Sequence, residues 1–264
     1  MQEIRVSSWN ELNECLYQES WQENLRRFRS PFAFRGVSSS RYELTTSLKR
    51  LGKTSDELER HILRSFRRYA RREAVAEDSI WNWLALAQHH GLPTRLLDWT
   101  YSPYVAMHFA TEDLEEFDTD GAIWCIDYYR TNQLLPGTLK ALLAEEGANV
   151  NVFTAEMLSR AAKTLAEFDQ LSDADFVIFF EPPSLDERIV NQFALFSCMS
   201  SPRASLHQWL RQHPDVCRRV IIPAELKWEV RDKLDQANIT ERVLYPGLDG
   251  LSRWLKRYYT PRRP

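Results

Sequence analysis

Four short apolar runs constrain the fold of this chain more than any other feature. Residues 122–126, 176–180, 193–198 and 219–222 are rich in β-branched or aromatic side chains, which favour β-strands. Patterns typical of helices separate several of these runs, so the fold contains both elements. Strict alternation of one strand with one helix is missing, which argues against a doubly wound parallel sheet. The sequence therefore predicts an α+β fold in which several helices surround a mixed sheet.

Capping residues mark where helices begin. Ser8 followed by Glu11 forms a capping box before apolar residues at helical spacing, which predicts an N-terminal helical segment at about residues 1–30. Ser102 precedes a proline, so a short apolar helix is predicted at 104–110. Further helices are predicted at residues 55–72, 79–88, 132–144, 155–168, 206–212, 224–237 and 248–258.

Composition limits the classes of partner and the compartment. The chain has 264 residues, 8 Gly and 12 Pro, and no low-complexity linker, so one domain is expected. Its 34 basic and 37 acidic residues give a net charge of -3, which creates no global attraction to nucleic acid or membranes. The 4 cysteines lie far apart, and neither a leader pattern nor a long apolar run is present. These features predict a cytoplasmic protein without a membrane partner.

An apolar run at residues 32–34 ends at Arg35 and Gly36. The alternation predicts a short strand with Phe32 and Phe34 on its buried side, and Gly36 is expected to permit a tight turn after it. The Arg35 guanidinium would then face a cleft. Residues at strand ends are common functional positions, so Arg35 is the first candidate for a site.

The segment 93–99 is predicted to be a loop that Trp99 anchors in the core. Asp98 is expected to order it by pairing with Arg95 or by capping the following turn. His90 is expected to form a hydrogen bond with a backbone or ligand group. Its neighbour is also a histidine, but adjacent side chains diverge and begin no metal-ligand pattern, so no metal site is predicted.

Longer motifs contain these residues. Phe34-Arg35-Gly36 is followed by QHHGLPTRLLDW at 88–99, RIVNQ at 188–192 and YPGLDG at 245–250. Their combination resembles the FRG-domain family, named for the Phe-Arg-Gly motif, over most of the chain. The resemblance implies a single FRG-type domain at 1–264 and a toxin-like or phage-defence effector.

The aromatic-Arg-Gly strand end is also similar to that of mono-ADP-ribosyltransferases, in which it holds the pyrophosphate and ribose of NAD. This similarity implies an ADP-ribosyltransferase-like fold, NAD as substrate and Arg35 as the phosphate ligand, because a guanidinium presents a planar donor fork. A Ser or Thr segment shapes the nicotinamide pocket in that group. The cofactor-binding residues implied are Arg35, Gly36, Thr94, Arg95, Thr100 and Ser102, with His90, Asp98 and Trp99 as structural support.

The catalytic acid of that group is usually a glutamate on a late strand. Gln192 stands at the corresponding position of this chain, so the resemblance assigns catalysis to Gln192 together with Arg35. A preorganised glutamine can position a ribose hydroxyl, and Glu181 and Glu187 are nearby substitutes for the missing acid.

Three functions are compatible with these residues. The leading hypothesis is an NAD-using, ADP-ribosyltransferase-like enzyme that modifies a protein or nucleic acid or hydrolyses NAD. One alternative is a non-catalytic module that recognises a nucleotide or a protein, which Gln192 favours. The other is a nucleic-acid-processing protein recruited through the arginine-rich helix at 55–72. Glutamates within that helix and the negative net charge favour a solvated helix face instead.

Overall fold

The computed structural model describes residues 1–52, 55–70, 77–147, 150–184 and 186–262, and it contains the predicted mixed sheet. The strands are β1 (Gln2–Arg5), β2 (Trp21–Gln22), β3 (Arg27–Phe28), β4 (Phe32–Val37), β5 (Leu96–Thr100), β6 (Gly121–Asp127), β7 (Val177–Phe180), β8 (Ala194–Met199) and β9 (Cys217–Ile222). Seven of them form one sheet in the order β1-β9-β6-β4-β5-β8-β7, while β2 and β3 form a separate hairpin. Only the β1–β9 pair is parallel among these described strands.

Helices fill the connections, and the predicted caps are in place. Ser8 accepts a hydrogen bond from the Glu11 N–H, and Ser102 accepts one from Val105 N–H. The α+β prediction is confirmed. The helices are α1 (Trp9–Tyr17), α2 (Ser55–Tyr69), α3 (Ile80–His89), α4 (Pro103–Ala110), α5 (Tyr128–Asn132), α6 (Gly137–Glu146), α7 (Ala155–Ala161), α8 (Leu165–Asp169), α9 (Glu187–Asn191), α10 (Leu206–Gln212), α11 (Lys227–Gln236), α12 (Glu241–Leu244) and α13 (Leu248–Tyr258).

Three apolar cores lie on the two faces of the sheet. On one face, helices α1, α4 and α11 cover the half that contains β4 and β6, and α3 and α6–α8 cover the half that contains β8 and β7. On the other face, α10 packs against Trp99 and Trp124. Strand parity places Phe34 and Leu96 on the first face. The first face therefore carries two separate helical layers, with α4 at one side of β4–β5 and α3 at the other.

Several predicted elements differ in the structure. The loop predicted around Trp99 is strand β5, which pairs with β8 along its whole length. The single helix predicted at 132–144 is interrupted because Pro136 stands at the N-cap of α6. The helix predicted at 155–168 is interrupted because Thr164 caps a new helix, α8, by accepting from Glu167 N–H.

The N-terminal segment and the arginine-rich helix also differ from their predicted bounds. The N-terminal segment contains α1 as its helix, preceded by β1 and followed by the β2–β3 hairpin. Helix α2 ends at Tyr69, and Arg71 and Arg72 of the predicted arginine-rich face lie outside the described residues. No helix in the described part of the chain is long and apolar enough to cross a membrane.

Candidate functional site

A cleft of about 660 Å³ opens where β4 and β5 separate. In the described strands, β4 and β5 pair where Phe34 lies opposite Thr100. Beyond this pair the gap is bounded by the end of α3 on one side and the end of α4 on the other, with α9 and the loop after β4 completing its walls. Seven residues of the predicted site line the cleft: Arg35, Gly36, His90, Asp98, Trp99, Thr100 and Gln192.

Gly36 lies within β4 and is needed for packing against α4. It pairs with Ile123 of β6, so the turn predicted at this position is wrong. A Cβ atom on Gly36 would overlap the carbonyl group of Ala106 and lie 2.6 Å from the Ala110 nitrogen. The absence of a side chain therefore lets α4 approach the strand closely, which fixes the distance between Arg35 and the end of this helix.

The Arg35 guanidinium reaches across the opening between the strands. Its Nη1 donates to the carbonyl oxygen of Asp98 at 2.5 Å and lies 4.0 Å from the Asp98 carboxylate. Within the described residues this is its one hydrogen bond, and the side chain is 22% exposed. Burial lowers the pKa of Arg35, and the carboxylate of Asp98 offsets this effect only in part. The remaining donors are available to a ligand, and an anion would compensate the buried charge.

The predicted pairing of Asp98 with Arg95 is wrong. The two residues are three positions apart around the start of β5, so strand alternation sends their side chains to opposite faces. Asp98 instead accepts a hydrogen bond from the Gln88 amide at 2.9 Å. Arg95 is buried and pairs with the carboxylates of Glu59 and Asp169, away from the cleft.

The hydroxyl groups predicted to shape the pocket form hydrogen bonds with other groups of the protein. Thr94 is buried outside the cleft and donates to the Gln88 side chain, which in turn holds Asp98. Ser102 also lies outside the cleft lining, as the cap of α4. Thr100 lines the cleft, but its hydroxyl donates to the carbonyl oxygen of Gln192. These residues position the walls of the cleft.

Gln192 is the C-cap of α9 and precedes β8, so it lies just before the late strand and not within it. Its side-chain amide donates to the carbonyl oxygen of Leu244 at 2.9 Å, which leaves the side-chain oxygen to face a ligand. Neither predicted substitute lines the cleft: Glu181 accepts from the Tyr101 hydroxyl, and Glu187 lies exposed in the first turn of α9. A catalytic role of Gln192 stays a prediction.

The two histidines at the end of α3 differ in their surroundings. His89 lies 2.6 Å from the Asp186 carboxylate, so it ties α3 to the start of α9. Burial lowers the pKa of His89 despite this carboxylate. His90 is exposed at the cleft and forms the C-cap of α3. The described residues contain no group of three His, Cys, Asp or Glu side chains that could hold a metal ion.

The sequence did not indicate several further cleft residues, of which four are charged or carry a phenol beside a charge. Arg50 and Arg188 add positive charge, and Glu112 and Tyr245 add a carboxylate and a phenol at the end of α4. Arg188 lies over the Tyr245 ring at 5.1 Å. Arg188 and Tyr245 belong to motifs that were recognised, but nothing in their local sequence indicated that they face Arg35.

His108 of α4 lies beneath this end of the cleft and provides a pH-dependent prediction. The side chain is fully buried, and its pKa is lowered from 6.5 by burial and by the nearby Arg231, with Glu112 opposing. Below pH 6.5 the unfolded chain therefore binds a proton that the folded chain excludes, so stability falls as pH falls through this range. Each pH unit of acidification lowers the free energy of unfolding by at most about 1.4 kcal/mol through this histidine.

We expect the variant His108→Gln to be less sensitive to this acidification than the wild type. Urea unfolding at about pH 7.5 and about pH 5.5 should show a wild-type loss exceeding that of the variant by about 1 kcal/mol. Equal losses in both proteins would contradict the neutral state assigned to His108.

The Phe-Arg-Gly motif lies in a segment of the chain that matches a known domain. Residues 30–119 match the family model of the FRG domain, a segment that runs from β4 past α4 and includes Arg35, Asp98 and the close approach at Gly36. No curated protein and no solved structure is significantly similar to the chain. This segment is therefore similar to the FRG domain, and it contains β4, β5, α3 and α4 of the cleft, while α9 and Tyr245 lie outside it.

Proposed function

We propose that the cleft binds a phosphate-bearing nucleotide through Arg35, with NAD as the ligand that the aromatic-Arg-Gly motif implies. The observation that carries this proposal is the unsatisfied guanidinium at the strand opening, held by the Asp98 carbonyl group. A phosphate would receive its remaining N–H groups in the bidentate geometry that arginine favours.

The remaining walls suit the same ligand. Arg50 and Arg188 extend the positive charge, while Tyr42 and Phe109 offer aromatic surface for a base. A volume of about 660 Å³ is within the usual range of small-molecule sites. The cleft therefore combines anion recognition with flat apolar surface, as a nucleotide requires.

Two outcomes of binding are distinguished by chemistry. In an ADP-ribosyltransferase-like enzyme or NAD glycohydrolase, bound NAD loses nicotinamide, and ADP-ribose passes to a protein, a nucleic acid or water. In a recognition module, the ligand is held unchanged. Gln192 favours the second outcome, because its neutral amide, anchored by Leu244, lacks the charge with which a glutamate would stabilise an oxocarbenium-like transition state. A role as an effector in phage defence is compatible with NAD turnover and with ligand recognition.

We expect Arg35→Lys to weaken NAD binding by about tenfold, because lysine keeps the charge but loses the bidentate fork. Calorimetry with NAD and with ADP would measure the affinity, with unchanged circular dichroism as the check on folding. Arg160→Lys is the matched control, since Arg160 forms exposed ion pairs with Glu145 and Glu146 and lies outside the cleft. Equal NAD affinity in the Arg35 and Arg160 variants would argue against the proposed role.

Turnover needs a separate measurement. The wild-type protein would be incubated with NAD and cell extract while free nicotinamide and ADP-ribose attached to macromolecules are followed. Nicotinamide release that disappears in Arg35→Lys supports the enzyme. Binding without release supports the recognition module, and absence of NAD and ADP binding in the wild type would refute both.

A further inference from the structure

Glu112 is the carboxylate that follows the C-cap of α4 and faces the cleft. Its side chain is 36% exposed, so a ligand can reach it. The Tyr245 hydroxyl donates to its Oε2 at 3.2 Å. Glu112 forms no ion pair with lysine or arginine in the described part of the chain, which distinguishes it from a carboxylate that serves a surface salt bridge.

A buried histidine supports this carboxylate from below. His108 is fully buried, its Nδ1 lies 2.8 Å from Nη1 of Arg231, and its Nε2 lies 3.5 Å from Oε2 of Glu112. Arginine can only donate, so Nδ1 must accept and the hydrogen of the neutral ring resides on Nε2. That N–H lies beside Glu112, and in the described residues it forms no hydrogen bond. Arg231 thus fixes the tautomer of His108 so that the ring presents an N–H, and not a lone pair, to Glu112.

The arrangement makes Glu112 an oriented acceptor without neutralising its charge. A phosphate placed against the Glu112 carboxylate would be repelled, although Arg188 lies over the neighbouring Tyr245 ring, whereas a hydroxyl group would donate to the carboxylate in a charge-assisted hydrogen bond. The cleft therefore has one end that selects an anion, at Arg35, and another that selects a hydroxyl donor.

We propose that Glu112 binds a sugar hydroxyl of the ligand and that His108 is its positioning residue, so that the cleft selects nucleotides bearing a free sugar over simple polyphosphates. This inference rests on the proposed nucleotide function and specifies the part of the ligand that lies away from the phosphates.

The test compares two ligands that share a diphosphate group, ADP-ribose and inorganic pyrophosphate, by calorimetry. Glu112→Gln should weaken ADP-ribose binding about tenfold, because a charge-assisted hydrogen bond becomes a neutral one, and should leave pyrophosphate binding equal or slightly tighter. Glu115→Gln removes the same charge from an exposed position outside the cleft lining and is the control. It should change neither affinity by more than about twofold.

Variants at His108 test the positioning role. His108→Gln can still accept from Arg231 and present an N–H to Glu112, so it should retain ADP-ribose affinity, whereas His108→Leu should lose ADP-ribose affinity without losing pyrophosphate affinity. In the Glu112→Gln background, His108→Leu should add no further loss for ADP-ribose, a coupling that general destabilisation would not produce. Should His108→Leu fail to fold, Glu112→Gln with the two ligands still decides the proposal.

The outcomes separate this inference from the function on which it rests. ADP-ribose bound with equal affinity by the wild type and Glu112→Gln would overturn the inference and leave nucleotide binding intact. Parallel losses of ADP-ribose and pyrophosphate in Glu112→Gln would also overturn it, as a nonspecific effect. A wild-type protein that binds neither ligand would overturn both proposals.

Discussion

Replacing Gly36 by alanine should destabilise the fold by about 3 kcal/mol, because the added methyl group meets backbone that cannot rotate away. The new Cβ would overlap the Ala106 carbonyl group and crowd the Ala110 nitrogen. Relief requires α4 to shift as a body from β4, and that shift would also displace Glu112 at the end of the helix. Chemical denaturation of the purified variant would measure the loss of unfolding free energy.

Gly137→Ala is the matched control for this substitution. Gly137 is the first residue of α6, its φ angle is not positive, and a Cβ there would meet nothing within 4 Å. Alanine should therefore be neutral or stabilising by up to about 1 kcal/mol. If both alanine variants unfold at the wild-type midpoint, the close approach at Gly36 does not limit stability as argued.

The second large effect concerns the buried ion pair beneath β5. Arg95 and Glu59 are each 3% exposed, and Arg95 also pairs with Asp169. Burial lowers the pKa of Arg95, but the carboxylates of Glu59 and Asp169 outweigh it and the net change is upward. Glu59→Gln leaves the guanidinium with one carboxylate in a dry environment, so we expect a loss of about 3 kcal/mol. Urea unfolding at neutral pH would measure it.

Glu145→Gln provides the comparison at an exposed ion pair. Glu145 binds Arg160 at the surface, where water and salt screen the charges, and its loss should cost less than about 1 kcal/mol. The double variant Glu59→Met with Arg95→Met should recover much of the loss seen in Glu59→Gln, since the charge that then loses its partner is the Asp169 carboxylate, which is partly exposed to water. Similar small losses at Glu59 and Glu145 would contradict a stabilising role for the buried pair.

The sequence predicted those elements whose signals lie within a few neighbouring residues. Strands β6–β9 have apolar runs, and the caps of α1 and α4 depend on neighbouring residues. Strand β5 was missed because Asp98 interrupts its apolar pattern and the preceding Pro93 indicates a turn. Its strand conformation depends on pairing with β8, about a hundred residues later in the chain.

The candidate site could likewise be predicted only in part from the sequence. The motif indicated that Arg35 faces a cleft, which the structure bears out. It could not distinguish Arg35 from Arg95, because the partners that bury Arg95 are Glu59 and Asp169, both distant in sequence. Glu112 could be inferred only from the fold, since its relation to Arg35 depends on how closely α4 approaches β4.

The parallel pairing of β1 with β9 has a consequence for how the chain folds during synthesis. Residues 2–5 of β1 pair with residues 218–221, so β1 cannot dock until about two hundred further residues have been synthesised. Closing so long a loop costs chain entropy, so contacts between residues this far apart in sequence form slowly and late. We expect nascent chains that end before β9 to expose the apolar side of β6 at an unprotected sheet edge, where chaperones would bind.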